Sequence, residues 1–160
     1  MNLASWLLGL ALIVLTIAVH TTGVVMMAFG LERKTRSRVQ KYHVDPLRAI
    51  PVVIANIGLV AVVLAVLHGL EGMLWASAYR WLGVFGSYAD ASIYSLGTMA
   101  TLEIPDLVVP SRYRLIGVLE SINGVLLFGI STAFLFAVMQ TYFLELFHPR
   151  GRGTNDEPAA

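Results

Sequence analysis

The sequence predicts an all-α membrane protein with three transmembrane helices and one re-entrant half-helix. Three observations carry that prediction. First, 57% of the 160 residues are hydrophobic and only 13% are charged, whereas a soluble domain is about a quarter charged. The mean hydropathy is +0.73. Second, three apolar stretches are each long enough to cross a hydrocarbon core of about 30 Å, which takes about 20 helical residues. Third, a fourth stretch, 91–110, is broken by Pro105 and Pro110 and is too short to cross.

The first span runs from Leu3 to Leu31 and carries no charge unless His20 is protonated. It reads as a retained helix. A cleaved signal peptide would need an N-terminal Lys or Arg, a shorter apolar run and an A-x-A site, and none is present. Thr21 and Thr22 accompany His20, and a polar group at this depth is expected to bond a neighbouring helix. Residues 32–48 form a polar connector with Arg33, Lys34, Arg36, Arg38, Lys41 and Arg48 against Glu32 and Asp45. Short basic loops stay in the cytoplasm, which leaves the N-terminus outside. A segment lying on anionic headgroups is the lesser reading.

The second span covers Ala49 to Leu70, with Pro51 near its start, where a helix tolerates it. His68 and Glu71 lie three apart and share a helical face. They are a candidate metal pair, but no companions stand beside them and His20 belongs to another helix. A His68–Glu71 hydrogen bond near the outer interface is the preferred reading. Trp75, Tyr79 and Trp81 follow as an interfacial aromatic belt. The third span, Leu115 to Phe147, carries Gly117, Gly124 and Gly129, with Glu120 as its only charge before Glu145. The tail, 148–160, is rich in Gly, Pro and charge and is expected to be disordered and cytoplasmic. Arg80, Arg112 and Arg114 fall on the outer side, fewer than the basic residues inside.

Between the second and third spans, Gly83 and Gly86 mark a loop. Asp90 stands where an N-cap belongs, and Ala91–Ala100 reads as a helix. Ten helical residues reach roughly 15 Å, about half of a bilayer core. Pro105 and Pro110 then prevent its continuation. A half-helix followed by irregular backbone is tolerated at membrane depth only where protein or a water-filled cavity surrounds it. This is the outline of a re-entrant pore loop.

The order of outer helix, half-helix, irregular segment and inner helix, from about Ala49 to Phe143, resembles the pore module of tetrameric potassium channels. It is most like the small bacterial members with one extra N-terminal helix. That family's signature is T-x-x-T-x-G-Y-G-D, then a short apolar stretch and Pro. Here Thr98-Met99-Ala100-Thr101-Leu102-Glu103-Ile104-Pro105-Asp106 stands in its place, ending at Pro110. Tyr94 and Ser95 match the aromatic and serine of the pore helix. Thr98, Thr101 and Asp106 match filter positions, and Gly124 to Gly129 resembles the hinge region of the inner helix. The resemblance implies a homotetramer in a cell membrane, of the bacterial inner-membrane type. Its cavity would be lined by Val125, Phe128, Thr132 and Phe136, with Gln140 extending the stripe, Gly124 as hinge or close-packing glycine, and Phe136 as gate. The departures fall at the filter, where Glu103 and Pro105 replace glycines and Ile104 replaces tyrosine. Proline fixes φ and glycine's conformations are lost. Carbonyl coordination of potassium is therefore expected to give way to a Thr101 oxygen ring and a Glu103 carboxylate ring. Such a ring binds monovalent K+ or Na+ with weak discrimination and also takes Ca2+. In the alternative arrangement Glu103 turns away and pairs with Arg112 or Arg114.

The expected layout is therefore an N-terminal helix (1–31), a basic loop (32–48), a pore domain (49–147) and a tail (148–160). No resident cofactor is expected. With no cysteine, disulfides and thiolate metal sites are excluded. No basic, aromatic-studded patch suggests nucleic acid, and no catalytic serine–histidine–aspartate order or phosphate-cradling loop suggests an enzyme. A non-conducting relative of the channels is the main alternative. A haem- or metal-bearing membrane protein using His20 and His68 is a remote one.

Overall fold

A computed structural model describes residues Leu3–Val39 and Pro46–Phe147. The described residues form four α-helices and one short 3-10 turn. The helices are α1 (Leu3–Val39), α2 (Pro46–Trp81), α3 (Tyr88–Met99) and α4 (Arg114–Phe147), and the turn is Ser111–Tyr113. Three helices are long and apolar enough to cross a membrane, over Leu3–Leu31, Ile50–Trp81 and Ser111–Leu144. Large apolar side chains point outward along all three, among them Leu7, Ile54, Val62, Val66 and Phe136. A water-facing surface rarely shows so continuous an apolar area, so the exterior suits lipid.

α1 packs against α4 and α2, and α3 is wedged between α2 and α4. The core gathers at the end of the bundle where α3 enters. Trp75, Tyr79, Ile116 and Leu127 are almost fully enclosed there, joined by Met99 from the last turn of α3. Toward the other end α2 is sparsely covered, with Ile54 64% exposed against Trp75 at 0%.

α3 starts earlier than the sequence suggests. Its N-cap is Ser87, whose Oγ accepts the Asp90 N–H at 3.0 Å. Asp90 is thus in the first turn, where its charge suits the positive end of the helix dipole, rather than at the cap. Serine wins the cap because its short oxygen reaches the third helical N–H from extended backbone.

The second span is also longer than expected. α2 does not stop at Leu70 but runs to Trp81, since nothing from Glu71 to Arg80 breaks a helix except Gly72, which is tolerated. The aromatic belt dissolves with that correction. Trp75 and Tyr79 are buried at 0% exposure, and only Trp81, at 80%, remains outward. The polar connector is partly helical as well: α1 continues through Arg33–Arg38 to Val39, and α2 begins at Pro46. Lys41 and the tail, 148–160, lie outside the described residues.

α2 and α3 end in the same way. After α2, Gly83 N–H bonds the Arg80 carbonyl and Val84 N–H the Tyr79 carbonyl; after α3, Thr101 N–H bonds Thr98 and Leu102 N–H bonds Gly97. Both are Schellman caps, which require a left-handed residue at the reversal. Gly83 takes φ 67° without strain, whereas Thr101 takes φ 59° with a β-branched side chain that resists it.

Candidate functional site

Two sites emerge from this packing: the segment after α3 and a polar seam inside the bundle. The depth of α3 is set by Gly124. A Cβ on Gly124 would lie 2.2 Å from the Met99 carbonyl oxygen and 2.7 Å from its Cα. Only glycine admits so close a backbone. Gly124 is ten residues into α4, or roughly 15 Å at 1.5 Å per residue. α3 therefore descends about that far, and the chain returns to the same end by Ser111, beside the first turn of α4. Of the two roles expected for Gly124, close packing is what the geometry displays, within an unbroken α4.

The returning segment is not one extended strand. It reverses at Thr101, and it turns again where Leu107 N–H bonds the Ile104 carbonyl at 3.1 Å. Pro105 occupies the second position of that turn, which its fixed φ favours. Thr101, Leu102, Glu103, Pro105 and Asp106 are exposed, while Ile104 folds back over Gly97. Glu103 forms no ion pair with Arg112 or Arg114 among the described residues. The Arg112 guanidinium lies 4.7 Å over the Tyr113 ring instead.

The pore-helix residues named from the sequence face the bundle. Tyr94 meets Tyr79 edge-on, with ring centres 5.2 Å apart, and Phe85 at 5.1 Å. The Ser95 hydroxyl donates to the Gly72 carbonyl at 2.8 Å and also contacts Glu120 Oε1. Thr98 supplies its carbonyl to the cap of α3. On α4, Val125, Phe128, Thr132, Phe136 and Gln140 are all exposed, so they share an outward face of the single chain. Phe128 is not wholly free, because its ring stacks on His68 at 4.4 Å.

The seam is what the sequence concealed. Thr16 and His20 on α1, Glu71 on α2, Ser95 on α3, and Glu120, Asn123 and Ser131 on α4 are all buried. Tyr79 donates to Glu120 Oε2 at 2.7 Å, so Glu120 is bound from α2 and α3 at once. Thr16 contacts Asn123 Oδ1 at 3.1 Å. His20 bonds the neighbouring helices, as its depth predicts, through Nδ1 to Glu71 Oε1 at 2.9 Å and Nε2 to Ser131 Oγ at 3.0 Å. His68 Nε2 reaches the same Ser131 oxygen at 3.0 Å. The expected His68–Glu71 hydrogen bond does not form: His68 Nδ1 stands 3.4 Å from Glu71 Oε2, and neither atom has a hydrogen-bond partner. Glu71 takes His20 instead. His20, without visible companions in the sequence, thus joins His68 and Glu71 within 4.8 Å, counted between potential ligand atoms.

A signal for the seam did exist. Thr16 and His20 are one turn apart, Glu120 and Asn123 share a face of their helix, and ionisable residues within a span are functional or paired by default. What a sequence cannot supply is which helix faces which. Comparison with family models, curated proteins and solved structures finds no match to the chain.

Proposed function

We propose that the chain is the pore-forming subunit of a cation channel, assembled as a homotetramer in a cell membrane with its N-terminus outside and its C-terminus in the cytoplasm. One observation carries the reading. A short helix stops at Met99 against Gly124, ten residues into the 34-residue α4, and irregular backbone leads back to the end it came from. Irregular backbone at that depth needs a protein or water-filled surround. A single chain leaves Thr101, Glu103 and the α4 stripe from Val125 to Gln140 uncovered. Fourfold symmetry would turn both toward a common axis. The exposed Glu103 carboxylates would then form the cation-attracting ring, and Phe136 would narrow the cavity below.

The two turns in the segment favour weak discrimination between potassium and sodium, because selection would fall to side chains rather than to a ladder of carbonyls. Bilayer recordings with ion substitution test this. Near-equal potassium and sodium currents are expected, with divalent block that Glu103→Gln relieves. Strong potassium selectivity in the unmodified protein would overturn the side-chain filter.

The same turns, with Thr101 in a left-handed conformation, favour a non-conducting relative as the second reading. Absence of flux from a tetramer of verified fold would select it. A dimer or trimer by native mass measurement would remove both readings.

A further inference from the structure

The cluster of His20, His68 and Glu71 is one cation short. Glu71 is fully enclosed, yet its Oε2 has no hydrogen-bond partner, and neither has Nδ1 of His68, 3.4 Å away. Proton counting gives the reason. Ser131 has one hydroxyl proton and faces Nε2 of both histidines. If it donates to one ring, the other ring must carry its own proton on Nε2. With both rings neutral, that second ring turns a bare Nδ1 toward the carboxylate, lone pair against lone pair. Whichever ring receives the serine proton, one histidine–glutamate contact lacks a hydrogen. In a dry interior such an unmet group is costly.

We propose that Nδ1 of His20, Nδ1 of His68 and the Glu71 carboxylate bind one divalent first-row transition ion of the zinc class. Both Nε2–H groups then donate to Ser131 Oγ, whose two lone pairs suffice. That contact fixes the tautomer and ring orientation, as partners behind metal-bound histidines commonly do. Two imidazoles and a carboxylate suit zinc better than soft copper(I) or hard calcium. The spacing suits it too. Ligands about 2.0–2.2 Å from a tetrahedral ion lie roughly 3.3 Å apart; here His20 Nδ1 is 2.9 Å from Glu71 Oε1, His68 Nδ1 is 3.4 Å from Glu71 Oε2, and the ligand atoms of the cluster lie within 4.8 Å of one another. His68, 13% exposed beside Phe128, gives the ion a way in. The ion would tie α1 to α2, with α4 holding the rings through Ser131. This site is independent of whether the chain conducts.

The test uses the full chain, purified in detergent, stripped with chelator and titrated with Co2+ and then Zn2+. One Co2+ per chain is expected, with the visible absorption of a four-coordinate ion, displaced by Zn2+. Glu71→Gln and His68→Gln abolish uptake. Ser131→Ala keeps the ligands and weakens affinity about 10- to 100-fold. Asp90→Asn, in the first turn of α3 and outside both sites, leaves uptake unchanged. Should Glu71→Gln fail to fold, X-ray absorption of the cobalt-loaded wild type decides. Two imidazoles in the coordination shell support the site; oxygen-only coordination overturns it. No uptake by a folded wild-type chain also overturns it, and makes the missing cation a proton.

Discussion

The buried seam and the segment that follows α3 treat their polar groups in opposite ways. In the seam, hydroxyls, a phenol and two carboxylates meet one another across helices, and nearly all are shut from solvent. In the segment, the side chains of Thr101, Glu103 and Asp106 are exposed in the single chain, and the backbone holds a β-branched residue in a left-handed turn. The difference separates what builds the fold from what is left available. Seam residues are fixed because an unmatched polar group between helices is expensive. The segment is held by the cap of α3, by Ile104 over Gly97, and by Leu107, Val109 and Tyr113 against the core.

The largest effect should come from the point where the two regions touch. Gly124→Ala places a Cβ against backbone atoms of Met99 rather than against a flexible side chain. Overpacking costs about 1–3 kcal/mol and more where backbone must move, so a loss of about 3 kcal/mol is expected in thermal unfolding. α3 would be pushed out and the segment with it. Unchanged stability would mean that α3 is not wedged at this depth, and the contrast would collapse.

Next comes the seam itself. Glu120→Leu leaves the Tyr79 hydroxyl without its acceptor and removes one contact of Ser95. Each stranded buried group costs about 1–3 kcal/mol, so a loss of about 2–3 kcal/mol is expected. Glu120→Gln keeps the shape and an acceptor, and should recover most of it. Equal losses in the two variants, measured by unfolding in the same detergent, would show that the charge rather than the hydrogen bonding matters.

The helices were legible in the sequence because apolar runs of this length have one common meaning. The half-helix was legible because Pro105 and Pro110 forbid a long helix there, although α3 ends before them, at Met99, in the cap at Thr101. Its cap was misplaced: Ser87 and Asp90 are both good N-caps, and only geometry chooses between them. Trp75 and Tyr79 misled because aromatic residues near a span end belong equally to an interface or to a core. α3 arriving beside them made the core. The seam was legible only as isolated polar residues. Glu120 could be flagged as an intramembrane charge, but Ser95, Tyr79 and Ser131 owe their roles to helix rotation, which hydropathy does not encode.

A smaller effect, of opposite sign, should come from the cap of α3. A β-branched residue in the left-handed region costs roughly 1–2 kcal/mol, while glycine gives back part of that through the freer unfolded chain. Thr101→Gly should therefore stabilise the protein by up to about 1 kcal/mol, and Gly83→Ala, at the matching cap of α2, should destabilise it by a similar amount. A destabilised Thr101→Gly would show that the threonine side chain contributes more than its backbone conformation costs, as it would if the Thr101 oxygens of a tetramer bound a cation.

The smallest effect isolates one contact of the seam. Thr16 Oγ1 has a single proton and three oxygens within reach: the Leu12 carbonyl at 2.8 Å, the Ile13 carbonyl at 3.1 Å and Asn123 Oδ1 at 3.1 Å. The bond to its own helix is the shortest, so Asn123 receives at most a share. Asn123 Nδ2 has no partner at all. Polar contacts between membrane helices average about 0.6 kcal/mol, and Thr16→Val, nearly the same shape, should lose no more than that. Asn123→Leu removes the unmet amide as well as the contact, so the double substitution should be close to neutral, as replacing both partners by apolar groups often is. Unfolding of the two single variants and the double variant gives the coupling energy directly. A coupling well above about 1 kcal/mol would mean that this pair, like Glu120 and its partners, fixes how α1 sits on α4. A coupling near zero would leave that task to the apolar contact of Leu119 with Gly9 and to the histidine cluster one turn further along α1.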